Sequence, residues 1–271
     1  IATASDDNTS KIWDSQNGHN TLTLVGHEKM VHSVAFSPDG QQIATASHDK
    51  TAKVWNGQEE GNAQTLFGHR LFINSLSFSP DGKQIATASW DNTARVWDSE
   101  SGQNLLTLTG HTEMVNSITF SLDGQRIATG SKDNTIKIWD SDTGQNTITI
   151  LGNSGAIRSL AFSRDGQLIA AANQEDRNAT IWHCETQKLI LVIEHEFAVY
   201  GVDFSPNGKD IITTSEDRTA RILDYKIAKH VRKLNGHQRA VRDAAFSPDG
   251  QFVATCSEDN TAKVWEALSG Q

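Results

Sequence analysis

Apolar and polar positions alternate along this chain in short blocks, and the blocks recur every 42 residues. In one cycle, Val31 to Phe36 (VHSVAF) is an apolar run closed by Ser37-Pro38-Asp39-Gly40. Proline at the second position of that tetrad and glycine at the fourth suit a type I turn. A small-residue run, Ile43 to Ser47 (IATAS), follows, then a tight polar turn around His48-Asp49-Lys50, then Ala52 to Trp55. A further run, of which Asn20 to Val25 (NTLTLV) is the first example, leads into the next Gly-His pair. Each unit therefore predicts four strands of four to six residues with turn signals between them. No segment has the period of a helix.

Two registers carry the repeat. Gly26-His27, Gly68-His69, Gly110-His111 and Gly236-His237 fall in the first, with Gly152 and His195 each keeping one member of the pair. Trp13, Trp55, Trp97, Trp139 and Trp265 fall in the second, with Leu223 in phase and Trp182 one residue late. Self-similarity at this period marks an array of supersecondary units that bury their faces against one another. The fifth unit is the least faithful: Asn153 stands for the His, Arg164 for the Pro, and one residue is inserted before Trp182. Together with Leu223 in the sixth, this makes units 5 and 6 the expected weak sector. The chain opens at Ile1 inside a unit, and seven full units would exceed it by 23 residues. A fragment of a longer protein is expected, lacking the inner strand of the first unit and the outer strand of the last.

Charge narrows the function classes. The 271 residues carry 24 basic and 33 acidic side chains, a net charge of -9. That balance disfavours nucleic acid or an anionic membrane as partner, since both call for clustered Lys and Arg. Cys184 and Cys256 are the only cysteines, which implies neither a disulfide framework nor a CxxC metal site. No apolar run approaches the length of a membrane-spanning helix, and no secretory signal pattern opens the chain, so a cytoplasmic setting is expected. The histidines outside the Gly-His register show no zinc-ligand spacing, and no phosphate-binding glycine motif is present. No cofactor and no metal are expected.

The phased Gly-His and Trp-Asp signatures closely resemble the WD40 family over essentially the whole chain, and its regular bacterial arrays in particular. The resemblance implies a single domain over residues 1–271: an all-β, seven-bladed WD40-type β-propeller whose ring is incomplete at the seam. It also implies a structural role for four sets of residues at constant spacing. These are His27, Ser47, Asp49 and Trp55; His69, Ser89, Asp91 and Trp97; His111, Ser131, Asp133 and Trp139; and His237, Ser257, Asp259 and Trp265. In the family such residues form a hydrogen-bonded chain that ties a loop to its blade. A Ser-His-Asp triad is the catalytic alternative. A catalytic site needs one tuned copy in a cleft, whereas four intact copies point to architecture, and an enzyme is not expected.

Positions that vary while the repeat holds mark what the architecture does not demand. The third and fifth residues after the register His, and the residue before the turn Asp, vary freely, and in the family they face the top rim. In units 2 to 4 they are Met30, His32 and His48; Phe72, Asn74 and Trp90; and Met114, Asn116 and Lys132. In units 5 to 7 they pair Arg with Glu, as in Arg158 with Glu175 and Arg242 with Glu258. Asp6 is the first unit's contribution. Apolar and aromatic side chains beside polar ones are typical anchors for protein partners. The expected function is a non-catalytic protein-interaction scaffold or sensor within a larger, signalling-related protein, binding a protein or peptide on the rim of units 2 to 4. Recognition of a small molecule or peptide at the channel mouth is the alternative.

Overall fold

The computed structural model describes residues 1–57, 63–153, 155–227 and 229–270, apart from the side chains of 229–231. Among the described residues there is no helix, and the strands form seven antiparallel sheets in chain order, hereafter blades 1 to 7. Blades 2 to 6 have four strands each, while blades 1 and 7 have three. Contacts group the chain into two compact units. The first holds Ile1–Asp133 and Lys137–Thr147, which is blades 1 to 3 and most of blade 4. The second holds Asn134–Ile136 and Ile148–Gln271.

Within each unit the core lies between successive blades. The second strand of blade 2, Gln42–Ser47, is buried from Ile43 onward. Its Ala44 and Ala46 pack against Ile73, Leu76 and Phe78 of the inner strand of blade 3. Ala86 and Ala88 repeat the contact with Val115, Ile118 and Phe120 of blade 4. In the second unit Ala170 and Ala172 meet Val199, Val202 and Phe204. Small side chains on one face let the larger ones of the next blade fill the gap at interior density. A ladder of bonds between inner strands accompanies the packing: Leu76 N–H donates to Ser33 Oγ, Ile118 N–H to Ser75 Oγ and Val202 N–H to Ser159 Oγ.

The repeated His and Trp are joined by hydrogen bonds through a threonine hydroxyl. In blade 2, Trp55 Nε1–H donates to Thr45 Oγ1 at 2.8 Å, and His27 Nε2 lies 2.8 Å from the same oxygen. His27 Nδ1 lies 2.7 Å from Asp49 Oδ2, which can only accept. With Nε2 unprotonated, that nitrogen accepts the threonine hydrogen. Blades 3, 4 and 7 repeat the chain through Thr87, Thr129 and Thr255. The middle hydroxyl is thus the threonine of IATAS or its counterpart. The serines expected there, Ser47, Ser89, Ser131 and Ser257, do something else. Each accepts the backbone N–H of the turn Asp, while its own hydroxyl donates to a loop carbonyl, as Ser47 does to Lys29 O at 3.0 Å. The reason is the period of two in a strand: the threonine, two residues back, shares its face with the serine but lies opposite the ring nitrogens.

Blade 5 breaks this chain in a specific way. Trp182 pairs with Ile169 as Trp55 pairs with Ile43, so the extra residue is absorbed in the turn after Asn173 and the indole keeps its place. Gly152 (φ +119°) is kept for the same indole: a Cβ there would stand 2.9 Å from Trp182 Cη2. Ala171, however, occupies the threonine position, and Trp182 Nε1 is buried without a hydrogen-bond partner. The hydroxyl has moved across to Thr180, opposite Ala171, where it donates to Asn153 Oδ1 at 3.0 Å and accepts from Asn173 Nδ2. Blade 6 keeps half of the chain, with His195 Nε2 2.9 Å from Thr213 Oγ1 and Leu223 packed in the core.

Ala171→Thr supplies the missing acceptor and should stabilise the fold by about 1 kcal/mol in urea unfolding, whereas the isosteric Ala171→Val should not. Burial alone would raise the carboxyl of Asp91, but the bonds from His69, Thr93 and Arg70 N–H outweigh it and hold it well below the usual range. Asp49 and Asp259 are depressed in the same way. The folded state then binds fewer protons than the unfolded one, so stability is complete above the ordinary Asp value of about 4 and is lost as pH falls below it. Asp91→Asn should cost about 1–3 kcal/mol at pH 7 and make the acid branch of the stability profile shallower.

Candidate functional site

The loops of blades 2 to 4 present their variable residues on a common backbone frame. His48 N–H donates to Met30 O at 3.0 Å, Trp90 N–H to Phe72 O at 2.9 Å, and Lys132 N–H to Met114 O at 2.9 Å. In each blade the residue before the turn Asp is thereby locked to the third residue after the register His. A second set of bonds runs between blades: His32 Nδ1 meets Asn74 O at 3.1 Å, and Asn74 Nδ2 donates to Asn116 O at 2.9 Å. A carbonyl can only accept, so His32 carries its proton on Nδ1.

On this frame four rings come together. His32 stacks on His48 at 5.5 Å and His48 on Phe72 at 4.4 Å, nearly parallel in both cases. Trp90 tilts against both His48 and Phe72, at 5.7 and 5.3 Å. Lys29 places its ammonium 5.7 Å from the Phe72 centroid, which completes the cluster with a cation on a ring face. Trp90 and Phe72 are half-buried, while His48 and Asn74 are more than nine-tenths buried. His48 Nε2, Trp90 Nε1 and Asn74 Oδ1 are all buried without a hydrogen-bond partner. Burial holds the His48 imidazolium below its ordinary pKa, with the Lys29 charge acting in the same direction and Asp6 opposing.

The rim residues named from the sequence thus divide. His32, His48, Phe72 and Trp90 form one cluster, and Asn74 and Asn116 are tied to it through the ladder. Met30, Met114 and Lys132 hold the matching backbone positions; Met30 and Lys132 are exposed and Met114 half-buried. Lys29 was missed, although it directly precedes a variable position. In the second unit the equivalent positions satisfy one another. Arg242 pairs with Glu258 and stacks on Tyr200 at 4.1 Å, and Arg158 Nε donates to Gln174 Oε1 rather than to Glu175.

The bonded tetrad geometry, repeated in four blades together with the Gly-His and Trp registers, agrees with the family comparison. The model for the WD domain, G-beta repeat, matches residues 18–56, 61–98, 102–140, 144–183, 187–224 and 228–266. The chain belongs to the WD40 family. Its fold class is accordingly that of an all-β WD40-type propeller with seven blades. Curated proteins resemble it over about one repeat. Human F-box-like/WD repeat-containing protein TBL1Y is 51% identical over 41 residues, 15% of this chain and 8% of that protein. Human Coronin-7 is 49% identical over 43 residues, 16% of this chain and 5% of that protein. Nuclear distribution protein PAC1 of Mycosarcoma maydis is 46% identical over 43 residues, 16% of this chain and 10% of that protein. The WD40 chain therefore spans a tenth or less of these relatives, and the similarity is that of the repeat itself.

The cluster generates a titration signature. His48 should titrate with a midpoint below the ordinary histidine value of about 6.5 in NMR spectra of the imidazole. Lys29→Gln should move that midpoint up and Asp6→Asn should move it down. A midpoint at or above the ordinary value would contradict the burial of His48 in the ring stack.

Proposed function

We propose that this WD40 chain is a non-catalytic protein-interaction module of a larger, signalling-related cytoplasmic protein, and that a protein or peptide partner docks on the rim of blades 2 to 4. The observation that carries this reading is the His32–His48–Phe72–Trp90 cluster, built from positions that the repeat leaves free to vary. Large rings supply contact area at low conformational cost, and Met30 and Met114 beside them can adapt their shape. Trp90 and Phe72, both half-buried, offer ring faces and edges to an extended peptide. Lys29 and Lys132 favour an acidic flank on that peptide. Against catalysis, the His, Thr and Asp of each complete tetrad are already engaged with one another in four equivalent copies.

The test uses peptides selected from a random display library on the intact chain, with affinity measured by fluorescence anisotropy. Trp90→Ala should weaken binding by about 2 kcal/mol or more, and Phe72→Ala should act in the same direction. Arg158→Ala/Arg242→Ala should leave affinity unchanged. Loss of binding in the arginine variant alone would move the contact to the other unit and overturn the assignment.

A further inference from the structure

The outer strand of blade 5, Leu189–Glu194, departs from every comparable strand in the chain. It is the last strand of its sheet and pairs with Asn178–His183. Its partners in register show what the repeat places there. Val192 lies opposite Thr180, where Thr23, Thr65 and Thr107 lie opposite Lys11, Lys53 and Arg95, and Lys233 opposite Arg221. Leu189 lies opposite Trp182, where Asn20 and Asn104 lie opposite Trp13 and Trp97. Those asparagines hold the strand bulge by donating to the carbonyls of Ile12 and Val96, as Asn146 does to that of Ile138. Blade 5 has given up the polar residue at both positions, although the bulge between Ile181 and Trp182 persists. Leu189, Ile190 and Val192 are 46%, 50% and 40% exposed, while Ile193 is buried and Leu191 packs on the blade 5–6 core.

An exposed apolar strand at a sheet edge is a template for another strand, and folded proteins ordinarily guard such edges with charge. Here the charges stand at the two ends, Lys188 before the apolar run and Glu194 at its close, both exposed. The segment Lys188-Leu189-Ile190-Leu191-Val192-Ile193-Glu194 is therefore self-complementary when antiparallel. With Leu191 opposite its own copy, Lys188 faces Glu194, Leu189 faces Ile193, and Ile190 faces Val192. Lys188, Ile190, Val192 and Glu194 share one face by the period of two, so each ion pair flanks a continuous apolar patch. The outer strands NTLTLV, NLLTL and NTITI carry no charge and lack this match.

The geometry points to the blade 5 edge as a homodimer interface, in which the Leu189–Glu194 strands of two copies of this chain pair antiparallel about a two-fold axis. Each copy then supplies the same patch to the other, which closes the contact and limits assembly to two. This surface is separate from the blade 2–4 rim, and neither reading depends on the other.

Sedimentation velocity over a concentration series of the chain tests the proposal. The wild type should shift from monomer to dimer with rising concentration. Val192→Lys, which installs the residue blade 6 already carries at this position, should remain monomeric with unchanged circular dichroism. Lys188→Glu should weaken the dimer about tenfold, since both symmetry-related pairs become repulsive, and Lys188→Glu/Glu194→Lys should restore it. A 1:1 mixture of Lys188→Glu and Glu194→Lys should form the mixed dimer in preference to either homodimer. A wild type that stays monomeric throughout, or self-association insensitive to these charges, would overturn the proposal.

Discussion

The relay from indole to threonine, threonine to imidazole and imidazole to carboxylate is the constraint on which the rest of the WD40 chain depends. It links three segments far apart in sequence: the third strand through Trp55, the second through Thr45, and the loop after Gly26 through His27. Asp49 closes it by accepting from His27 Nδ1 and from Glu28 N–H, which draws the tight turn against the incoming loop. A buried polar group is tolerated when its partners are complete, and here every proton has an acceptor. Once loop and turn are joined, Ser47 fixes the carbonyl of Lys29 and His48 N–H fixes that of Met30. The variable loop residues are thus placed by bonds that start from the relay.

The relay residues hold each loop to its blade, which is why the variable positions can differ from blade to blade while the fold does not. In blades 2 and 3 the freedom is used to gather rings, and burial leaves His48 Nε2 and Trp90 Nε1 without partners. In the second unit the same positions hold Arg242, Tyr200 and Glu258, which complete one another by stacking and ion pairing. One frame therefore yields a rim with unmet hydrogen-bonding capacity in one unit and a rim with paired charges in the other.

Blade 5 shows what happens when the relay is given up. The strand pairing of Trp182 with Ile169 persists, and the indole stays buried beside Gly152 even without its acceptor. Hydrophobic burial of a large ring outweighs a single lost hydrogen bond. The same blade has lost the polar bulge residue and the threonine of its outer strand, at Leu189 and Val192. Its inner bonding and its outer surface have both left the repeat, whereas blade 3 retains both.

The architecture was legible from sequence because it is periodic. Gly-His, SPDG, IATAS and Trp recur at one spacing, and a repeat unit that cannot bury its own faces must stack on its neighbours. Seven units, four-stranded blades, three-stranded first and last sheets, and the loss of His at Asn153 all follow from counting along that register. Two things did not. The hydroxyl in the relay is Thr45 and not Ser47, because both lie on one face of the strand and only the distance to the imidazole separates them. The rim residues were recognisable as variable, but that His32, His48, Phe72 and Trp90 would stack, with Lys29 over Phe72, depends on how far each loop carries its side chain toward the next blade. Period determines which residues are equivalent. Contact between residues 40 positions apart is set by the packing of one blade on the next, and only the tertiary structure decides it.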